Sequence, residues 1–153
     1  MTDDGRTLVT GALGCVGAWT LKALVDLGEE PVGYDLGADD ARLRLVLDDA
    51  ERDRVTLVAG DVTDGDQLGE TLDHHEITRV VHLAALQVPF CQADPRRGAH
   101  VNVVGTVTVF EAVKARRDRI PGVAFASSTA VYNASDASPA SERGGTEPST
   151  HYG

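Results

Sequence analysis

The most constraining stretch of the chain is Leu8-Val9-Thr10-Gly11-Ala12-Leu13-Gly14-Cys15-Val16-Gly17, where a short apolar run meets three glycines at three-residue spacing. The apolar run predicts a strand and the apolar spacing after it predicts a helix, so the glycines mark a tight strand-to-helix turn. Gly11 supplies a backbone conformation closed to other residues. Gly14 lets the main chain approach a bound group, and Gly17 lets the helix pack close on the strand. The first helical amides and the helix dipole face that bound group, and both favour a pyrophosphate. A plain structural corner uses the same glycines, so the rest of the chain has to decide between the two readings.

After a first strand at Arg6 to Thr10, the apolar positions from Cys15 to Leu27 have helical spacing that ends at Gly28. Pro31 to Asp35 is a second strand, and its terminal carboxylate falls eighteen positions after Gly17. In a dinucleotide fold a carboxylate there accepts hydrogen bonds from the adenosine ribose and repels a 2′-phosphate, so the expected cofactor is NAD; Arg42 and Arg44, a few residues on, pull toward NADP. A helix over Ala38 to Ala50, a strand over Arg54 to Ala59, the segment Gly60-Asp61-Val62-Thr63 and a helix from Asp64 to His75 follow. Arg79 to Ala85 is a fourth strand, nearly all apolar as a strand covered on both faces should be, with Leu83-Ala84-Ala85 at its ligand-facing end. Asp94-Pro95 opens a long helix to about Arg117, whose valine density predicts packing on more than one side, and Val123 to Ser127 is a fifth strand. Tyr132 to His151 is a polar loop. This alternation predicts an α/β fold, a Rossmann-type doubly wound parallel sheet in strand order 3-2-1-4-5 with later strands missing.

Composition removes several other classes. With 14 basic and 24 acidic residues and a formal charge of −10, the chain repels nucleic acid and anionic membranes. No apolar run approaches membrane-spanning length, and Met1 to Arg6 carries no secretory pattern, so a cytoplasmic location is expected. Two cysteines, Cys15 and Cys91, give neither a disulfide framework nor a metal-ligand spacing, so no metal is expected.

Together these motifs resemble the extended short-chain dehydrogenases/reductases, the NAD-dependent epimerase/dehydratase family. Thr10 to Gly17 matches that family's TGxxGxxG turn, and Gly60-Asp61-Val62 matches its adenine-binding strand end. His82-Leu83-Ala84-Ala85 matches the segment beside the nicotinamide ribose, and Asn102-Val103-Val104-Gly105-Thr106 the motif of the long helix. Ser127 to Tyr132 matches the segment with the catalytic serine, and Tyr152-Gly153 the start of the YxxxK motif. Asn133 stands where the family often has glycine, and the motif's lysine would fall four residues after Tyr152, beyond residue 153.

The resemblance implies a cofactor site of Gly11, Gly14, Cys15, Val16, Gly17, Asp35, Asp61, Val62, Leu83, Ala84, Ala85, Gln87 and Asn102, with Ser128 and Tyr152 as catalytic residues. In the family, tyrosine exchanges a proton with the substrate while hydride passes to or from the nicotinamide. A free tyrosine, pKa ~10, is only about 0.1% ionised at neutral pH, and the lysine's charge supplies the tuning. The expected substrate is a sugar, sugar acid or nucleotide-sugar facing Leu86 to Cys91. Ala130-Val131 stands where the family's 4,6-dehydratases carry an Asp-Glu pair, which leaves dehydrogenation or epimerisation by transient oxidation. The chain is expected to be the N-terminal NAD-binding domain, residues 1–153, of a longer enzyme whose substrate-binding part is absent. The alternative is a catalytically silent NAD-binding module, which the missing lysine favours. Association is expected, as a homodimer through Asp94 to Arg117 or as irregular aggregation through the open edge of the fifth strand.

Overall fold

The computed structural model of the chain describes residues 5–37, 39–132, 139–141 and 145–153; Asn133 and much of the polar loop lie outside them. Five parallel strands, β1 Arg6–Thr10, β2 Val32–Asp35, β3 Thr56–Ala59, β4 Ile77–His82 and β5 Val123–Phe125, form one sheet in the order β3-β2-β1-β4-β5. That is the predicted order. β1 lies at the centre, with Thr10 paired to Tyr34 on one side and to His82 on the other.

Successive side chains of β1 point to opposite faces, and each face has its own core. Val9 faces the helix α1, Cys15–Asp26, and packs with Ala12, Ala18, Leu21, Val25 and Leu43. Leu8 faces the other side and packs with Val32, Leu68, Leu72, Val109 and Val113. The second core is covered by two further helices, Gly65–His74 and Thr106–Lys114. Leu8 and Leu21 are fully buried, and truncating either to alanine costs about 2–5 kcal/mol.

Several elements depart from the sequence expectation. The single helix over Ala38 to Ala50 is two short ones, α2 Ala41–Val46 and α3 Asp49–Arg52. Leu47 turns extended between them, and Asp48 starts the second helix with a capping box: its carboxylate accepts from the Glu51 amide while Glu51 accepts from the Asp48 amide. With Gly65–His74 as α4, the next helices are α5 Val88–Ala93 and α6 Pro95–Ala99, then a π-helical turn, His100–Gly105, then α7 Thr106–Lys114. The segment from Leu86 to Cys91 is thus partly helical, and the long helix is interrupted at Asn102. The valines do not pack on all sides within this chain: Val109 and Val113 are buried, whereas Val103, Val104 and Val107 are exposed. β4 begins at Ile77 and stops at His82, three residues short of Ala85. β5 ends at Phe125, and a 3₁₀ turn over Thr129–Val131 follows it. Among the described residues β5 pairs only with β4, so its outer edge is open. No helix among the described residues is long and apolar enough to cross a membrane.

Candidate functional site

The C-terminal ends of β1, β2 and β4 open onto a cleft of about 580 Å³, where ligands bind in open α/β sheets. Its floor is the glycine turn. Gly11 has φ +68°, and a Cβ there would sit 2.8 Å from the Ala84 backbone nitrogen. At Gly17 a Cβ would lie 2.1 Å from the Gly11 carbonyl oxygen, so that glycine sets how closely α1 approaches the strand. Gly14 is the N-cap of α1 and offers no side chain to cap the helix; the first turn carries no acidic residue. The positive end of α1 is therefore uncapped by its own chain, with Cys15 and Val16 exposed at the cleft wall.

The β2 side is built around Asp35. One of its carboxylate oxygens accepts from the Leu13 amide and the other from the Gly37 amide, both at 3.0 Å, which ties the end of β2 to the glycine turn. Gly60 lies against Tyr34, where a Cβ would come within 2.3 Å of the ring. The Tyr34 hydroxyl donates to the Asp61 carbonyl (3.1 Å), and burial, followed by the charges of Asp64 and Asp61, pushes its phenol up to about 12. Asp61 and Val62 line the cleft, with the Asp61 carboxylate turned to the Thr63 amide and hydroxyl. Of the two arginines that weigh on cofactor choice, Arg42 lines the cleft and donates to the Leu13 carbonyl, whereas Arg44 is held on the surface by Asp40.

The β4 side is formed by Leu83, Ala84 and Ala85, with Gln87 beyond them. Asn102 is the one predicted cofactor residue that does not line the cleft; it acts from behind. Its amide accepts from the Leu86 N–H (2.8 Å) and donates to the Leu86 carbonyl (2.9 Å), as a paired strand would. The π-helical turn is what aims that amide at Leu86, and such turns are common where a site needs a side chain placed out of helical register. Phe90, within the segment expected to face a substrate, also lines the cleft, and so does Arg97, which sequence reasoning missed. Phe90 belongs to a stretch that reads as a loop and folds into α5, and Arg97 to α6, where one long helix is expected and no local signal marks it.

The two predicted catalytic residues lie outside the cleft lining. Ser128 caps the 3₁₀ turn, its hydroxyl oxygen accepting from the Ala130 amide at 3.2 Å. Gly153 packs against Ala130, which brings the Tyr152 backbone beside the same turn.

A parallel sheet in this order, with a glycine turn at its centre and a cleft over its carboxyl ends, defines a Rossmann-type domain. Residues 8–153 match the family model described as GDP-mannose 4,6 dehydratase, and the chain belongs to the extended short-chain dehydrogenase/reductase family, as its motifs imply. UDP-glucuronate 4-epimerase 6 of Arabidopsis thaliana is 34% identical over 139 residues, 88% of this chain and 30% of that protein. UDP-glucose 4-epimerase of Azospirillum brasilense is 32% identical over 149 residues, 97% of this chain and 40% of that protein. Among solved structures, UDP-glucose 4-epimerase from Brucella ovis in complex with NAD superposes with a TM-score of 0.81 at 29% identity, covering 97% of this chain and 43% of that one. The chain thus spans less than half the length of these relatives.

Proposed function

We propose that the chain is the NAD-binding domain of an oxidoreductase or epimerase acting on a nucleotide-sugar or related sugar. The observation that carries this reading is the uncapped α1 terminus and the Asp35 carboxylate on one cleft floor, a site for a pyrophosphate and a ribose side by side. The residues fit the cofactor. The Gly14-Cys15-Val16 turn presents backbone rather than side chain to the phosphates, and Asp35 keeps acceptor capacity for a ribose diol beyond its two amide partners. Asp61 and Val62 would border the adenine, with Leu83, Ala84, Ala85 and Gln87 along the nicotinamide ribose and Asn102 holding that wall. Bound NAD would supply the hydride acceptor. Ser128 would bind the reacting oxygen and Tyr152 would move its proton, and the names of the epimerase relatives support epimerisation by transient oxidation. Ala130-Val131 speaks against dehydration.

The exposed strip of Val103, Val104, Val107 and Phe110 is proposed as a homodimer face, and the working location as the cytoplasm. One observation favours a second reading, an NAD-binding module without turnover: neither Ser128 nor Tyr152 lines the cleft.

Titration calorimetry with NAD and NADP tests the cofactor assignment. NAD should bind and NADP more weakly, while Asp35→Ala should weaken NAD roughly tenfold and narrow the difference, the loss expected for a charge-assisted hydrogen bond. A chain that binds neither dinucleotide overturns the proposal. Turnover of UDP-sugars separates the two readings, followed as NADH absorbance for net oxidation and by chromatography of the epimer for transient oxidation, since the silent module gives neither.

A further inference from the structure

Thr10, His82 and Thr106 form a buried hydrogen-bonded chain from β1 through β4 to the start of α7. His82 Nδ1 lies 2.7 Å from the Thr10 hydroxyl oxygen, and His82 Nε2 lies 3.0 Å from that of Thr106. Counting protons fixes the direction of every bond. The Thr106 hydroxyl donates its one proton to the Asn102 carbonyl at 2.7 Å, so it can only accept from His82, and Nε2 carries hydrogen. The Thr10 oxygen accepts from the Leu83 and Ala84 amides at 3.1 and 3.2 Å, which uses both its lone pairs. Its proton therefore points at Nδ1, which is bare.

The ring is thus the neutral Nε2–H form, and each N–H and O–H proton along the chain finds an acceptor. Burial acts in the same direction, pushing the His82 imidazole down to about 4. A proton on Nδ1 would set two donors against each other and turn the Thr10 hydroxyl away from its place. That hydroxyl carries the pairing past the end of β4. It shares the Leu83 amide with the Thr10 carbonyl (3.2 Å), takes the Ala84 amide for itself, and holds this strand end over Gly11, where Ala84 N is 2.8 Å from the position of a Cβ.

We propose that His82, held as a single neutral tautomer between Thr10 and Thr106, is a positioning residue that fixes the Leu83–Ala84 strand end against the glycine turn. The spacing it sets is that of the cleft wall, and its effect on cofactor affinity rests on the NAD reading above; the fixing of the strand end does not.

The test is Thr106→Val, which keeps the shape and removes a hydroxyl that bonds to neither Leu83 nor Ala84. Amide hydrogen exchange at these two residues should accelerate roughly fivefold, the effect of weakening one hydrogen bond, and Thr106→Ser should restore it. Ring-nitrogen NMR shifts of the unsubstituted chain at neutral pH should show a protonated Nε2 and a bare Nδ1, a readout that survives even if the valine variant fails to fold. Unchanged exchange in a folded Thr106→Val chain, or an Nδ1–H or charged ring, overturns the proposal. NAD affinity should fall roughly fivefold in Thr106→Val and return in Thr106→Ser. A chain with the fixed tautomer and coupled exchange that binds no NAD refutes the cofactor reading and leaves the strand-end role standing.

Discussion

Replacing His82 by asparagine removes a buried base, and the loss reads out as a change in how stability depends on pH. In the folded chain the His82 ring stays neutral down to about 4, whereas in the unfolded chain it takes a proton at the ordinary value of 6.5. Between those values the unfolded chain binds a proton that the folded chain refuses, so acidification favours unfolding; above pH ~7 the ring contributes nothing to the slope. Each pH unit inside the window costs about 1.4 kcal/mol, so moving from pH 7.5 to pH 5.0 should cost about 2 kcal/mol through this ring alone. His75, pushed down first by burial and then by His74 and Arg6, loses stability in the same direction but is present in both proteins and cancels. Urea denaturation of the unsubstituted chain and of His82→Asn at the two pH values gives the difference directly. The asparagine chain, whatever its starting stability, should lose about 2 kcal/mol less. Parallel losses would mean that His82 accepts a proton in the folded chain at its ordinary value, and the buried neutral ring would be refuted.

Two further outcomes follow from packing. Gly17→Ala would put a Cβ 2.1 Å from the Gly11 carbonyl and 2.8 Å from Ala12 Cα, both backbone, so the chain should lose about 1–3 kcal/mol in urea denaturation and its NAD binding in calorimetry. NAD affinity within twofold of the unsubstituted chain would sink the close-approach role. Val107, 54% exposed beside Val103, Val104 and Phe110, lies on the proposed dimer face, so the unsubstituted chain should sediment as a dimer and Val107→Glu as a monomer. Identical sedimentation of the two would remove this face as the contact.

The sequence alone determined the architecture and most of the cleft. Three glycines at fixed spacing, an acidic strand end at Asp35 and the small residues Ala84 and Ala85 after Leu83 are local signals, because turns, strand ends and buried runs are properties of neighbouring residues. Twelve of the thirteen residues expected to border the cofactor line one cleft: Gly11, Gly14, Cys15, Val16, Gly17, Asp35, Asp61, Val62, Leu83, Ala84, Ala85 and Gln87. Tertiary structure decided where the regular elements stop. β4 gives way after His82, where a hydroxyl on β1 shares the Leu83 amide with the Thr10 carbonyl and accepts from the Ala84 amide, 74 residues away. The long helix is interrupted at Asn102, whose amide pairs with Leu86 sixteen residues earlier, although the valine periodicity runs on through the interruption. It also brought Arg97 to the cleft and left Asn102 behind it. A periodic pattern records which residues a regular element buries, but not where that element gives up its own hydrogen bonds. That is settled by side chains distant in sequence, which meet only when the sheet has formed.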